Sequence, residues 1–378
     1  MAGGVGVAST GGAAGRLRRL FTASLSELNP LRREEPYLAV DIGSHGIKVL
    51  ETIGYAPALR ILRAAHVSTP AGAIQSNMVA DPAIVAESIR SVVDARGMRA
   101  RKTITAIPGP AVIVKRVVVP AQSTRELENT ILFEAGSSIP EDLENVNLDY
   151  QVTDYQDDGK QMQVTLVAAK KDIVSTYGEA IRAAGLVPVV VDVDYFALEN
   201  MFELNYDPAP DRVIALVNIG ARYTSISILK NAQSVFTHDV AVGGRDLTEA
   251  LVRDLRVSPA VAESLQAGET VVTVAAAEAA AVADAAVAAL IDEIHHAITF
   301  YWTGATDETI HAAYVAGGAA RIAGLPQGLC ERLGAPVEVA DPFARVALDQ
   351  GIDTPEMRRR APEFAVAVGL ATRRPGDK

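Results

Sequence analysis

The chain of 378 residues has little cysteine and no excess of positive charge, and acids interrupt its longest apolar stretch. The single cysteine, Cys330, excludes a disulfide framework within the chain and fits a reducing compartment. The net charge of −11 argues against nucleic-acid binding, because contacts with phosphates require a basic face. The apolar stretch, residues 271–291, is rich in alanine and contains Glu278 and Asp284. We therefore predict a soluble helix there and no membrane-spanning segment.

The N-terminal segment, residues 1–35, also lacks the pattern of a secretory signal. Glycine and small residues come first and the basic cluster "RLRRLF" follows, which reverses the order of a signal peptide. We predict that this segment is a largely disordered extension. Its basic cluster could alternatively form a short helix that makes a weak contact with a membrane surface or a partner.

From Tyr37 onward, stretches with the pattern of strands alternate with stretches that have apolar residues at helical spacing. Two stretches share one plan: "LAVDIGSHGIKVLE", which begins at Leu38, and "ALVNIGARYTSISIL", which begins at Ala215. Each has an apolar strand, Asp or Asn, Ile-Gly, a short turn and a second apolar strand. Since they lie roughly 180 residues apart and each opens one half of the chain, we predict two related α/β domains rather than a solenoid of shorter repeats.

The turn in the first of these stretches has the composition of an anion site. Gly43 lets the backbone approach a ligand closely, Ser44 adds a hydroxyl donor and Lys48 brings positive charge. Asp41 would be costly if it were buried alone, but a carboxylate suits a hydrated Mg²⁺ that is bound to phosphates. One such turn is most often a simple hairpin. The pair of turns, together with the Gly-Gly turn at residues 317–318, predicts a polyphosphate held between two domains.

The order of these elements resembles the actin, Hsp70 and sugar-kinase superfamily of ATP-binding proteins. Four further stretches occur in order along the chain: "AIPGPAVIVKRVVVP", "LENTILFEAGSSIPEDLENVNLDYQV", "VDVDYFALENMFELNY" and "VFTHDVAVGGRDLTEAL". Through them the chain resembles, within that superfamily, the PilM family of cytoplasmic actin-like proteins of type IV pilus assembly, from residue 37 to about residue 372. The resemblance implies an actin-like (ribonuclease H-like) two-lobed α/β fold with duplicated cores, an inserted subdomain and a nucleotide cleft between the lobes.

The same resemblance divides the chain after the extension into four subdomains. The ranges are 36–107 with 188–212 for the first core (1A), 108–187 for the inserted subdomain (1C), 213–245 with 313–378 for the second core (2A), and 246–312 for subdomain 2B. The stretch "VPVVVDVD", residues 187–194, lies where the chain returns to the first core. Its apolar character predicts a buried strand.

ATP and Mg²⁺ are the ligands that the resemblance implies for the cleft, and it assigns residues to three loops. The first phosphate loop takes Asp41, Gly43, Ser44 and Lys48, the second takes Asn218, Gly220, Ala221 and Thr224, and the adenosine loop takes Gly317, Gly318 and Ala319. Asp41 would hold Mg²⁺ through water. Glu293 falls where relatives have a helical glutamate near the ribose, and a solvated helix face is the alternative interpretation.

The second phosphate loop departs from the superfamily at Asn218, where an aspartate is usual. Asparagine brings no charge to hold Mg²⁺, and phosphoryl transfer depends on positioning and charge neutralisation. We therefore expect at most a slow ATPase. Asp41, Asp192 and Asp194 are the candidate catalytic carboxylates, the last two as groups that orient an attacking water. Asp192 and Asp194 could equally be strand-end residues in a turn.

The function that the resemblance implies is a nucleotide-binding scaffold at the cytoplasmic face of the inner membrane, within the type IV pilus assembly complex and beside its other inner-membrane components. Its partner would be the N-terminal cytoplasmic tail of a PilN-like bitopic membrane protein. That tail would dock as an extended peptide in a groove between the first core and the inserted subdomain, at roughly residues 108–187. The apolar stretches "AVIVKRVVVP" and "ILFEAGSSIP" are the places where we expect the groove, although apolar residues there also suit a core.

Two other functions of the superfamily compete with the scaffold. A small-molecule kinase or phosphatase would need a catalytic base for its acceptor and should keep the aspartate that Asn218 replaces. A cell-division-type actin homologue that forms filaments would normally end in a basic amphipathic helix, whereas this chain stops at "TRRPGDK". Both differences favour the scaffold.

Overall fold

The computed structural model describes residues 35–266, 274–302 and 309–377. The predicted extension over residues 1–35 therefore lies outside the described residues, except for Glu35, whose carboxylate pairs with Lys102 at 2.7 Å. The strands are β1 Tyr37–Ile42, β2 Gly46–Ile53, β3 Arg60–Ser68, β4 Ile74–Gln75, β5 Met78–Val79, β6 Lys102–Ile107, β7 Val112–Pro120, β8 Val146–Gln156, β9 Gln161–Lys170, β10 Val187–Val193, β11 Val213–Ile219, β12 Thr224–Lys230, β13 Gln233–Val240, β14 Ala312–Ala316, β15 Val337–Val339 and β16 Ala347–Leu348. The helices are α1 Pro82–Ala95, α2 Thr124–Ser138, α3 Lys171–Ala183, α4 Asp194–Asn205, α5 Gly244–Leu255, α6 Pro259–Gln266, α7 Ala276–Trp302, α8 Leu325–Leu333, α9 Pro355–Arg360 and α10 Ala365–Ala371.

Two large sheets have the same strand order. The first runs β10-β6-β1-β2-β3 with β16 at its edge, and the second runs β15-β14-β11-β12-β13. In the first sheet, β1, β2 and β3 are antiparallel neighbours, and β1, β6 and β10 are parallel neighbours. The second sheet repeats this arrangement. There the antiparallel neighbours are β11, β12 and β13, and the parallel neighbours are β11, β14 and β15. The prediction of two related α/β halves is confirmed, and each half is the core of one lobe.

The inserted subdomain leaves the first lobe after β6, and the chain returns to that lobe with α3, whose Ile173, Tyr177 and Ile181 pack in the core of the first sheet. It contains a three-stranded antiparallel sheet in the order β7-β9-β8 and helix α2. Ser123 caps this helix in a reciprocal capping box with Glu126. The apolar face of α2, with Leu127, Ile131 and Ala135, packs on the small sheet and gives the subdomain a core of its own.

Helices α4 and α10 pack against each other where the two lobes meet. A continuous apolar cluster joins Leu50 and Ile104 of the first sheet to Ile214 and Leu216 of the second, with residues of both helices between them. The two helices approach so closely that a Cβ on Gly369 of α10 would lie 1.6 Å from the carbonyl oxygen of Ala197 in α4. The lobes are therefore joined by tightly packed helices.

Strand β10 differs from the prediction of a buried strand. It forms the edge of the first sheet, and Val187 and Val191 are 52% and 37% exposed. Pro188, which has no backbone N–H, and a bulge between Pro188 and Val190 suit an edge position. The prediction failed because an apolar run does not distinguish a strand covered on both sides from an edge strand that faces a groove.

Within the alanine-rich stretch at residues 271–291, residues 276–291 form the first part of α7. That helix packs against the second lobe through Ile291, Ile294 and Ile298. Across the described ranges, none of the helices has both the length and the apolar character that crossing a bilayer requires.

Candidate functional site

The two sequence-related turns have the same backbone geometry. In the β1–β2 turn the N–H of Gly43 donates to the carbonyl oxygen of Gly46 at 3.1 Å, and in the β11–β12 turn the N–H of Gly220 donates to that of Tyr223 at 3.1 Å. A Cβ on Gly43 would lie 2.9 Å from the carbonyl oxygen of Gly46, and a Cβ on Gly220 would lie 2.9 Å from that of Tyr223. Both turns therefore require glycine at their first position. We call them the first hairpin (43–46) and the second hairpin (220–223).

The first hairpin is supported by charged groups beneath it. Asp41 and Lys48 are cross-strand partners and form an ion pair at 3.1 Å, with side chains 15% and 13% exposed. Lys48 is thus held by a carboxylate beside the first hairpin, and a Cβ on Gly43 would lie 3.3 Å from its Nζ. Ser44 borders a small cavity of about 30 Å³ that Gly43 and Tyr223 also line.

His66 and Gly46 were not recognised from the sequence. The ring of His66 lies against Gly46, where a Cβ would approach Nε2 to 2.3 Å. Burial and then the positive charge of Arg360 lower the pKa of His66 to about 4. The negative charge of Glu363, whose Oε2 lies 3.5 Å from Nε2 of His66, acts in the opposite direction. The imidazole is therefore neutral at pH 7. The only sequence signal was the second glycine in "GSHGIK".

The second hairpin is fixed by the start of α5. The N–H groups of Gly244 and Arg245 donate to the carbonyl oxygens of Gly220 and Ala221 at 2.9 Å each. Thr224 donates its hydroxyl to the carbonyl of Val242 at 2.8 Å. The hairpin backbone is thus anchored inside its own lobe. Since the hydroxyl of Thr224 is already used there, its assignment as a nucleotide contact stays a prediction.

The Gly-Gly turn after β14 lies against the second hairpin. Gly317 has φ of +91°, and a Cβ there would lie 2.4 Å from the carbonyl oxygen of Ile219 and 2.7 Å from Oδ1 of Asn218. Gly318, in contrast, is exposed, and a Cβ there meets no atom within 4 Å. Ala319 is buried and donates its N–H to Ile219 at 3.2 Å. The structure therefore brings Asn218 and this turn together and leaves open space beside Gly318.

Asp194 lies between the lobes. Its Oδ1 accepts from the N–H of Gly109 and its Oδ2 from the hydroxyl of Tyr223, both at 2.9 Å. Burial first, and then the charge of Asp239, raise the pKa of Asp194 to about 8. Asp239, on β13, was not recognised from the sequence, and it accepts a hydrogen bond of 2.6 Å from Ser225.

Asp192 and Glu293 are placed away from these contacts. Asp192 is buried and forms an ion pair with Arg373 at 3.0 Å, and burial raises its pKa despite that partner. Its role as a water-orienting group stays a prediction, since the ion pair already gives it a structural partner. Glu293 is exposed on α7, next to Asp292, which pairs with Arg332 at 3.0 Å. Its predicted position near a ribose also stays a prediction.

The arrangement fits a nucleotide better than it fits a metal bound by protein alone. Two glycine hairpins, a lysine and the open space beside Gly318 are suited to phosphates and a flat base. Among residues 35–266, 274–302 and 309–377, no group of three or more His, Cys, Asp or Glu side chains could hold a metal ion. A magnesium ion would therefore rely on phosphate oxygens and water, with Asp41 as the nearby carboxylate of the first hairpin.

The comparisons with known proteins agree with this architecture. A family profile described as "Type IV pilus assembly protein PilM" matches residues 39–375. A chain of the solved "PilM-PilN type IV pilus biogenesis complex" is 30% identical, with a TM-score of 0.79 over 89% of this chain and 97% of that one.

Two further structures share the fold. The ethanolamine utilization protein EutJ from Carboxydothermus hydrogenoformans is 16% identical, with a TM-score of 0.53 over 91% of each chain. MreB 5 of Spiroplasma citri bound to AMPPNP is 10% identical, with a TM-score of 0.50 over 89% of this chain and 95% of that one. At these identities the likeness shows the actin-like fold alone.

Proposed function

The chain belongs to the PilM family of type IV pilus assembly proteins, and from this premise we propose that it is an ATP-binding, actin-like scaffold of a type IV pilus inner-membrane complex. It would act at the cytoplasmic face of the inner membrane. There it would bind the N-terminal cytoplasmic tail of a PilN-like membrane protein and would contact other inner-membrane components of the pilus machine.

We assign the nucleotide to the cleft between the two hairpins. Backbone N–H groups of the hairpins, Ser44 and Lys48 would hold the phosphates, and the open space beside Gly318 would take the adenosine. Mg²⁺ would neutralise phosphate charge, with Asp41 holding it through water. Because the second hairpin supplies Asn218 rather than a carboxylate, hydrolysis would be slow at most.

We assign the partner tail to a groove between β10 and α3, which Asn147 of the inserted subdomain also lines. The groove has a volume of about 390 Å³. Its lining residues are Asn147, Lys171, Val174, Ser175, Gly178, Arg182, Pro188, Val189, Val190 and Val191. No strand of the described residues pairs with the outer edge of β10. An extended peptide could add its backbone hydrogen bonds to that edge and place apolar side chains against the valines.

This groove is the observation that carries the proposal. The groove lies beside an edge strand that has apolar side chains. In addition, this chain is 30% identical to a chain in a solved PilM–PilN complex. The groove and the nucleotide cleft are close in the fold, because α3 lines the groove with Gly178 and Arg182 and lines the cavity at the hairpins with Tyr177. A nucleotide that binds one arrangement of the lobes better would therefore also change the groove.

A titration of the full chain with a synthetic PilN tail peptide, with and without Mg-ATP, tests the proposal. We expect saturable binding of the peptide in at least one of the two states, with an affinity that depends on the nucleotide. Absence of binding in both states, together with phosphorylation of a purified small-molecule acceptor, would replace the scaffold by a kinase.

Val191→Lys should weaken binding of that peptide at least about tenfold, because it puts a charge on an apolar wall of the groove. The measurement is isothermal titration calorimetry with wild type and variant. The matched control is Val118→Lys, since Val118 is a 53% exposed valine on β7 that does not line the groove. Equal weakening by the two variants would show that the peptide binds elsewhere.

Asp41→Ala should weaken Mg-ATP binding about tenfold while affinity for ATP in EDTA falls less, because the variant removes the carboxylate that we assign to hydrated Mg²⁺. It also frees Lys48 from its ion pair at 3.1 Å. Calorimetry in both buffers separates the two effects. If the affinity for Mg-ATP does not change, the assignment of the first phosphate loop is wrong.

A further inference from the structure

A buried carboxyl group connects three separate parts of the fold. Asp194 is 6% exposed, and each of its oxygens accepts one hydrogen bond of 2.9 Å. One donor is the hydroxyl of Tyr223, at the end of the second hairpin in the second lobe. The other is the N–H of Gly109, which begins the short 3₁₀ turn where the inserted subdomain leaves the first core. Asp194 itself is the first residue of α4, directly after β10.

A second contact between the lobes lies at the same point. A Cβ on Gly109 would lie 2.8 Å from both carboxylate oxygens of Asp239 on β13 and 2.8 Å from the ring of Tyr195. Asp239 is held there by the hydroxyl of Ser225 at 2.6 Å. The second lobe therefore packs directly on the backbone of Gly109, with no room for a side chain.

The surroundings of Asp194 favour its neutral form. Burial raises the pKa of this carboxyl, and the negative charges of Asp239 and Asp41 act in the same direction, while the hydrogen bonds from Tyr223 and Gly109 act against them. In the neutral form one oxygen accepts from Gly109 and the O–H group can donate to the hydroxyl oxygen of Tyr223, and an amide offers the same two functions.

We propose that Asp194 is an interlobe latch, which fastens the second hairpin through Tyr223 to the root of the inserted subdomain at Gly109. A displacement of the second hairpin is then transmitted to Gly109 and to the beginning of α4. The proposal rests on these contacts alone and does not depend on the assignment of ATP or of a pilus partner.

Hydrogen exchange of the full chain, followed by mass spectrometry, tests the latch. Tyr223→Phe removes the hydroxyl that is hydrogen-bonded to Asp194 and keeps the ring, so amide exchange should rise about tenfold in the peptides that contain the second hairpin and in those that contain Gly109. Peptides from β2 should be unchanged. Tyr155→Phe is the matched control, since Tyr155 is 50% exposed on β8, and it should change neither region.

Exchange that rises at the second hairpin but not at Gly109 would overturn the latch, because the two regions would then move independently. An equal rise in β2 would also overturn it, since the variant would then have weakened the fold in general.

Asp194→Asn and Asp194→Ala separate a latch from simple packing. The amide can accept from Gly109 and donate to the hydroxyl oxygen of Tyr223, so Asp194→Asn should keep exchange within about twofold of wild type, whereas Asp194→Ala should raise it about tenfold at both regions. Adding Tyr223→Phe to Asp194→Ala should cause little further rise, because both changes break one contact. If the rise in exchange for the double variant equals the product of the rises for the two single variants, the latch is refuted. A rise in exchange for Asp194→Asn equal to that for Asp194→Ala would also refute it.

Discussion

Gly369→Ala should destabilise the protein by about 3 kcal/mol or more, the largest loss that we expect from adding a single methyl group. The added Cβ would lie 1.6 Å from the carbonyl oxygen of Ala197 and 2.4 Å from its carbonyl carbon. Both atoms belong to the backbone of α4, so no side-chain rotation can relieve the contact. The helices would have to separate, and apolar packing between the two lobes would be lost with them.

Chemical denaturation of purified wild type and variant measures this loss. The matched control is Gly136→Ala, which also places alanine inside a helix but at an exposed position of α2, where the nearest atom to the new Cβ is 3.9 Å away. We expect Gly136→Ala to stabilise by about 0.5–1 kcal/mol, because alanine is the better helix former. If Gly369→Ala were as harmless as the control, α4 and α10 could not lie as close as described.

Gly318→Leu should abolish nucleotide binding while the protein stays folded. The position is exposed and a Cβ there meets nothing within 4 Å, so the fold can accommodate a side chain. The leucine would occupy the space that we assign to the adenosine. A loss of at least about a hundredfold in affinity is expected, since a ligand cannot share a site with four added carbon atoms.

Calorimetry with ATP and a thermal melt of the same sample measure the two effects together. Gly317→Ala is the informative comparison, because the neighbouring glycine has φ of +91° and its Cβ would lie 2.4 Å from a backbone oxygen. That variant should lose stability, whereas Gly318→Leu should not. Unchanged ATP affinity in Gly318→Leu would place the adenosine elsewhere.

The duplicated sheets also show how the two halves have diverged. Along one row of cross-strand partners the first lobe has Asp41, Lys48 and His66, and the second has Asn218, Ser225 and Asp239. The carboxylate is thus on the first strand of the row in one lobe and on the third strand in the other. In the second lobe it packs against Gly109 and does not lie beside the hairpin glycine.

Local sequence pattern was sufficient for the parts of the structure that depend on neighbours in the chain. The alternation of strands and helices and the pair of glycine turns could both be predicted, because each arises from contacts within a few residues. The duplication could be predicted from the same kind of signal, since the two stretches share one local pattern of strand, glycine turn and strand.

The tertiary structure decided which residues meet across the lobes. Asp192 and Asp194 are two positions apart and were equivalent candidates in the sequence, yet one pairs with Arg373 and the other with Tyr223 and Gly109. The edge position of β10, which creates the groove, depended on the strand order of the sheet. Side chains alternate between the two faces of a strand, and sheet order is set by pairings between distant segments, so only the assembled fold determined these partners.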